Sequence, residues 1–470
     1  MIEYMKFEDS ERIGNLELDF RNENQEVCNT IIFAGENGSG KTLILKMIKD
    51  FQEGSYLGEW SPLKEIKYLD KNENVHVILR DEEALYPRPE DGMSERDFDF
   101  ERVELCIEKP YDIRAQKVLF SEARSGFEAS LKRYEFQDRR VENIYEKEGA
   151  NYSEIVRALI DMEEEDNREY IRYMKLNPQF EHTYEEYMRN NSRIERFKRA
   201  YSSIFEDLSY MGIDHKEDED TVYFMRGKQR IDINDLSSGE QQIVFRGTDL
   251  LYHAENASTI IIDEPELSLH PKWQEKILSF YRNLFTNEDG KQIAQLMIAT
   301  HSQYIIQSAM NKVNRDDVKI ILLKKSDLGI DATTVDNVLL GSYSSVEINY
   351  LAFGVEKREY HIQLFGALHN TLCNMKGSNV NNKIASIDQY IKGRKEYDSE
   401  KHEREDASYN HYYTLPVFIR NAIDHPDSER IVEDADLDIS ISLLRDIYKH
   451  VIEENENTNV HKVSETLCTL

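Results

Sequence analysis

The chain has 470 residues, 40% of them hydrophobic and 32% charged, and carries a formal net charge of −31. That length exceeds one ordinary core and points to two or three domains, and the balance excludes a disordered or fibrous chain. So acidic a surface repels nucleic acid at long range, so any DNA or RNA contact has to use a local basic groove. The four cysteines, Cys28, Cys106, Cys373 and Cys468, are scattered with no C-x-x-C pair, which excludes a zinc ribbon or a disulfide framework. The opening MIEYMKFEDSERIG is charged where a signal peptide needs an apolar run. No stretch approaches the ~18 apolar residues of a membrane span, so the expectation is a cytoplasmic protein without a membrane partner.

In chain order, the first strong pattern is IIFAGENGSGKTLILKMI. Residues 31–34 read as a short buried strand and residues from 43 onward as an apolar-periodic helix. Between them, Gly35, Asn37, Gly38, Ser39, Gly40, Lys41 and Thr42 lie in a stretch that satisfies G-x-x-x-x-G-K-[ST]. Glycines let the backbone curl so that successive N–H groups face phosphate oxygens at the positive end of a helix. Lys41 is placed to reach the β- and γ-phosphates and Thr42 to ligate Mg²⁺, which makes ATP and Mg²⁺ the expected ligands. Residues 64–135 mix β-rich runs such as NVHVILRD and RVELCIE with loops, and residues 140–208 read as charged helices without sustained heptads.

Further on, LSSGEQQ (residues 236–242) is a serine-glycine turn opening a helix, with Ser237, Ser238 and Gly239 at its start. STIIIDEPELSLHP follows, an apolar strand over residues 259–262 that ends in Asp263 and Glu264. Asp263 is placed to hold the metal shell and Glu264 to polarise the attacking water. LMIATHS is another apolar strand, ending at His301, and residues 318–327 read as the last strand of the sheet.

The order GENGSGKT, LSSGEQQ, IIIDEPELSLHP, ATHS resembles the ABC-type ATPases, above all the subgroup of SMC-like, RecF-like and OLD-family proteins, over roughly residues 1–340. The resemblance implies an α/β P-loop ATPase with a β-lobe and a helical lobe near residues 140–208. It also implies that Ser237, Ser238 and Gly239 form a signature and His301 a switch, and that residues 268–271 sit at the D-loop. FSEARSGF (residues 120–127) is similar to a strand and loop of the same ATPases, while no glutamine announces itself as the Q-loop. In such ATPases the signature of one copy binds the nucleotide held by another, so the implied partner is a second copy in a head-to-tail dimer.

The remaining segment, residues 341–470, is expected to be a mostly α-helical domain. Its EINYLAFGVEKREYH resembles ATPases of bacterial antiphage and abortive-infection loci, and the implied setting is nucleotide-gated defence. Tyr350, Phe353, Tyr360 and Phe365 recur at helical spacing and read as core. A Toprim nuclease is excluded, because Glu356 lacks its following glycine and EDADLDIS comes too late. RNAIDH, with Arg420 and His425, resembles the R-x(4–6)-H of HEPN ribonucleases, in which histidine acts on the ribose hydroxyl and arginine on the phosphorane. A helix-end capping pair beside Pro426 reads the same residues equally well. The alternatives to an intrinsic ribonuclease are an ATPase regulating a separate nuclease or effector, as in Septu-like systems, and a RecF-like clamp on DNA.

Overall fold

A computed structural model describes residues 1–10, 12–52, 63–69, 75–81, 84–87, 117–121, 150–179, 183–215, 220–254, 257–310, 317–334, 339–340, 344–375, 378–406, 412–425 and 430–467. The segments RVELCIE and SEARSGF beyond Ser121, the start of the expected helical lobe, and Pro426 lie outside them. The chain divides into two compact units, Met1–Thr334 and Val335–Leu470.

The first unit runs β1 (Ile2–Ser10), β2 (Gly14–Asp19), β3 (Thr30–Ala34), α1 (Lys41–Gln52), β4 (Leu63–Leu69), β5 (Val75–Asp81), β6 (Ala84–Pro87) and β7 (Lys117–Ser121). Then come α2 (Ala150–Leu176), α3 (Tyr184–Asn191), α4 (Arg193–Ile204), β8 (Leu208–His215), β9 (Asp220–Arg226) and β10 (Gln229–Asp232). It closes with α5 (Ser238–His253), β11 (Ala257–Asp263), α6 (Pro271–Leu284), β12 (Gln295–Thr300), α7 (Gln303–Ala309), β13 (Val318–Ser326) and β14 (Gly329–Thr334).

Six strands form the central sheet in the order β14-β13-β3-β12-β11-β7. All neighbours are parallel except the β13–β14 pair. Both β3 and β12 are buried at every position, as strands covered on both faces require. The strand over residues 318–326 is not the last one. It turns back at Asp327-Leu328 into β14, which takes the sheet edge as an antiparallel strand. β4 to β6 extend the β1–β2 ribbon into a second, antiparallel sheet in the order β2-β1-β4-β5-β6. Phe7, Phe20, Phe33, Ile44, Ile48, Ile66, Ile261 and Met297 form one core between that sheet, α1 and the central sheet.

The helices following residue 150 are tied together by a buried carboxylate. Asp166 on α2 accepts from Ser192 Oγ at 2.6 Å and from Ile194 N at 3.2 Å, at the junction of α3 and α4. Five apolar residues of α4 (Ile194, Phe197, Ala200, Tyr201 and Ile204) are buried, and Phe197 packs on Tyr210 of β8 and Tyr201 on Phe224 of β9.

The second unit holds α8 (Ser345–Phe353), α9 (Lys357–Asn374), α10 (Ile384–Lys392), α11 (Ser399–His402), β15 (Glu403–Asp406), β16 (Tyr412–Thr414), α12 (Leu415–Asp424) and α13 (Asp434–Leu467). It is helical apart from the short β15–β16 pair. Tyr360 and Phe365 are buried and Tyr350 stacks on Tyr360 at 4.8 Å, so these aromatics are core. Their centre is Glu347, fully buried. It accepts from Leu339 N, Leu340 N, the Tyr360 hydroxyl and Arg445 Nη1 within 3.0 Å, which meets the carboxylate's need for donors.

His361 on α9 is buried beside Ser440 Oγ at 2.9 Å, and burial holds its pKa down to about 3. The native imidazole therefore stays neutral while the unfolded one protonates below about 6.5. Stability is full above that value and falls as pH drops toward 3, by about 2 kcal/mol between pH 6.5 and 5. Hydrogen exchange of the α9 amides at pH 7 and pH 5 should show this loss, and His361→Met should remove its pH dependence.

Candidate functional site

Strand register assembles the site. Ala34 of β3 pairs with Thr300 of β12, so Gly35 and His301 leave neighbouring strands side by side. Asp263 of β11 pairs with Ala299, and Glu264 N donates to Ala299 O at 2.9 Å, which carries both acids to the same edge. This carboxyl edge of a parallel sheet is where ligands bind in open α/β folds.

From that edge the loop of residues 35–40 enters α1, whose first turn carries no acid to neutralise its positive end. Two of its glycines are sterically fixed. A Cβ on Gly35 would stand 2.2 Å from Leu323 O of β13, and one on Gly40, at φ +92°, 2.1 Å from Ile330 Cδ1 of β14. The β13 backbone and the Ile330 side chain of β14 thus crowd the loop, while Asn37 and Gly38 stand exposed and Ser39 is buried.

Lys41 is 4% exposed. Its ammonium donates to Gly35 O and Glu36 O, both at 2.9 Å, and more distantly to Ser39 Oγ at 3.5 Å. Burial draws its pKa down to about 8, against the pull of Asp263, Glu264 and Glu266. The ammonium also meets His301 Nδ1 at 3.2 Å. Because an ammonium can only donate, Nε2 is the protonated nitrogen and donates to Glu264 Oε1 at 3.2 Å. Lys41, His301 and Glu264 therefore form one polar chain across three elements.

Thr42 Oγ1 donates to Asp263 Oδ2 at 2.9 Å, joining the start of α1 to the end of β11. Burial pushes the Asp263 carboxyl upward and the Thr42 bond pulls it back. Its other oxygen, Oδ1, is buried with no hydrogen-bond partner. An unmet buried carboxylate oxygen beside a hydroxyl is a donor set that suits a hard divalent cation. Among the described residues no cluster of three or more His, Cys, Asp or Glu could hold a metal alone. Mg²⁺ is commonly bound through one or two protein oxygens together with phosphates.

Ser237 is the N-cap of α5, in a reciprocal box with Glu240: Ser237 N donates to Glu240 Oε2 at 2.8 Å while Glu240 N donates to Ser237 Oγ. Ser237 and Ser238 are exposed, and Gly239 is buried where a Cβ would lie 2.8 Å from the Trp273 ring. In the second unit, Arg420 and His425 lie at the end of α12. Arg420 pairs with Asp424 at 2.5 Å and donates to Asn421 Oδ1 at 2.9 Å, and His425 is the exposed C-cap.

One contributor was not read from the sequence. Glu266 Oε1 accepts from His301 N at 2.6 Å and from Thr300 Oγ1 at 2.8 Å, fixing the point where β12 delivers His301. Burial pushes its carboxyl upward. Its signal is the third acid in DEPE, two residues after Glu264.

The family model described as "AAA domain, putative AbiEii toxin, Type IV TA system", AAA_21, matches residues 31–307. The chain belongs to the AAA_21 family. Its first unit is accordingly an AAA-type ATPase domain, and the match spans both the loop of residues 35–40 and His301. The Septu protein PtuA of Bacillus mycoides (strain KBAB4) is 31% identical over 103 residues, which cover 20% of this chain and 14% of that relative. An SMC head bound to the C-winged helix domain of ScpA is similar at 13% identity and a TM-score of 0.39, covering 71% of this chain and 98% of that one. The SMC head domain from Thermotoga maritima gives 14% identity and a TM-score of 0.38, with the same coverage. Among the described residues no helix is long and apolar enough to cross a membrane.

The contacts of Glu266 predict what its loss does to this AAA_21 site. Glu266→Ala leaves the His301 N–H and the Thr300 hydroxyl without their acceptor, at a cost of about 1–3 kcal/mol. Thermal unfolding should register that loss, while nucleotide titration should show an affinity close to wild type, since Lys41 and the loop are untouched.

Proposed function

We propose that this AAA_21 protein binds and hydrolyses ATP in the manner of ABC-type ATPases, two copies closing head to tail around two nucleotides, to control a separate effector in antiphage defence. The convergence of Lys41, the Thr42–Asp263 pair, Glu264 and His301 at one sheet edge carries this reading. Phosphate oxygens take the place of Gly35 O and Glu36 O around the Lys41 ammonium, and their charge restores its ordinary basicity. Thr42 and Asp263 would hold Mg²⁺, which supplies neutralisation of charge on the β- and γ-phosphates. Glu264 orients the attacking water and takes its proton as the bond to the leaving ADP oxygen breaks. His301 holds the Glu264 carboxylate through Nε2. Ser238, exposed at the helix start, and Gly239 behind it meet the γ-phosphate bound by the partner copy.

The likeness to a Septu protein supports the defence setting and a partner effector. An intrinsic ribonuclease at Arg420 and His425 is left aside, because Asp424 already sits on the guanidinium that a phosphate would have to reach.

Two measurements test the proposal. Glu264→Gln keeps the loop and Lys41 but removes the proton acceptor, so it should bind ATP, lose turnover and accumulate as a dimer in light scattering. Turnover at the wild-type rate in that variant would sink the assignment. Mixing Lys41→Ala with Ser238→Arg protomers should restore about half the activity of a dimer, because each mixed dimer keeps one whole site. Mixed dimers that form yet stay inactive would rule out a shared site.

A further inference from the structure

Arg246 lies on α5, two turns beyond the Ser238-Gly239 start of that helix, and is 9% exposed. A guanidinium removed from water needs its five donors met within the protein. Nε donates to Ser121 Oγ at 2.6 Å and Nη2 to Ser121 O at 3.0 Å, at the end of β7. Nη2 also donates to Asp263 O at 2.7 Å, and Nη1 to Glu264 O at 3.4 Å. Ser121 and Ile262 are register partners, so the fork spans the ends of two adjacent parallel strands just where the chain turns toward the nucleotide.

The choice of acceptors is telling. The carbonyl of Asp263 belongs to the peptide plane that sets φ of Glu264, and the carbonyl of Glu264 to the plane that sets its ψ. Arg246 therefore grips both planes around a residue at φ +46°, in the left-handed region that a glutamate avoids unless its surroundings impose it. The direction of the Glu264 side chain toward His301 follows from those two planes.

We propose that Arg246 is a positioning residue for ATP hydrolysis: it fixes the backbone of Glu264 and couples it to the helix whose start faces the partner's nucleotide. This rests on the reading of Glu264 and of Ser238-Gly239 given above. When the start of α5 engages a γ-phosphate, any shift of the helix is delivered through the guanidinium to the peptide planes of the hydrolytic acid. Signature engagement and water activation are thereby one mechanical event.

The test uses the full chain with Arg246→Lys and Arg246→Ala beside Glu264→Gln. Lysine keeps the charge and the aliphatic stem but offers a point donor in place of a planar fork. Both arginine variants should lose about 100-fold in kcat, the scale of an ångström-sized misplacement of a reacting group. Their KM for ATP and their ATP-dependent dimerisation should stay near wild type, because the phosphate loop is intact. Should Arg246→Lys turn over ATP at the wild-type rate while Glu264→Gln is dead, the inference on Arg246 fails and the reading of Glu264 stands. Should Glu264→Gln itself hydrolyse normally, the reading of Glu264 fails first. A drop in kcat that merely follows a lowered folded fraction, measured by thermal unfolding of Arg246→Lys, would reduce Arg246 to a structural cap and also overturn the inference.

Discussion

An ammonium group with 4% of its residue exposed has to be solvated by protein, and the first unit is arranged around that demand. Lys41 draws on two loop carbonyls and an imidazole nitrogen, and each fixes something else. The carbonyls hold the loop in the curl that a triphosphate needs. The imidazole, by accepting at Nδ1, is forced to carry its proton on Nε2 and so to address Glu264. One buried charge thus sets the loop conformation, a histidine tautomer and the aim of a carboxylate before any nucleotide arrives. Because these partners are weaker for an ammonium than phosphate anions, they are readily exchanged.

The parallel sheet makes this possible by delivering several chain ends to one edge in register. A one-residue slip of β12 against β3 would send His301 to the opposite face of its strand, since side chains alternate. The pairing is protected by full burial of both strands. Around this frame the chain bears a net charge of −31, yet the N-terminal end of α1 is kept free of acid in its first turn. Acidic solvation outside and a positive helix end inside coexist, since screening by water and salt confines the outer field to within ~10 Å.

Much of this site was legible in the sequence, and the reason is physical. Gly35, Gly40, Lys41, Thr42, Asp263, Glu264 and His301 lie in short motifs whose chemistry depends on local spacing and on apolar strands beside them. Glu266 acts on the His301 N–H and the Thr300 hydroxyl, and Arg246 on the carbonyls of Asp263 and Glu264, and such contacts leave no spacing rule behind. The β14 strand escaped because GIDATT is half exposed and lacks the apolar run of its neighbours. For Arg420 and His425 the sequence offered two readings, and what it did not show is that Asp424, four residues on along the same helix, pairs with the arginine.

Glu264 has a consequence for how such a chain can evolve. Its backbone sits in a region that costs a non-glycine residue ~1–3 kcal/mol, and glycine would relieve that cost while discarding the carboxylate. Selection for robustness alone would therefore favour loss of the acid, and on the role proposed for Glu264 it is selection for turnover that keeps it. Copies of this fold freed from the need to hydrolyse nucleotide would drift toward glycine or asparagine at position 264, gaining stability as they became permanent nucleotide-bound scaffolds.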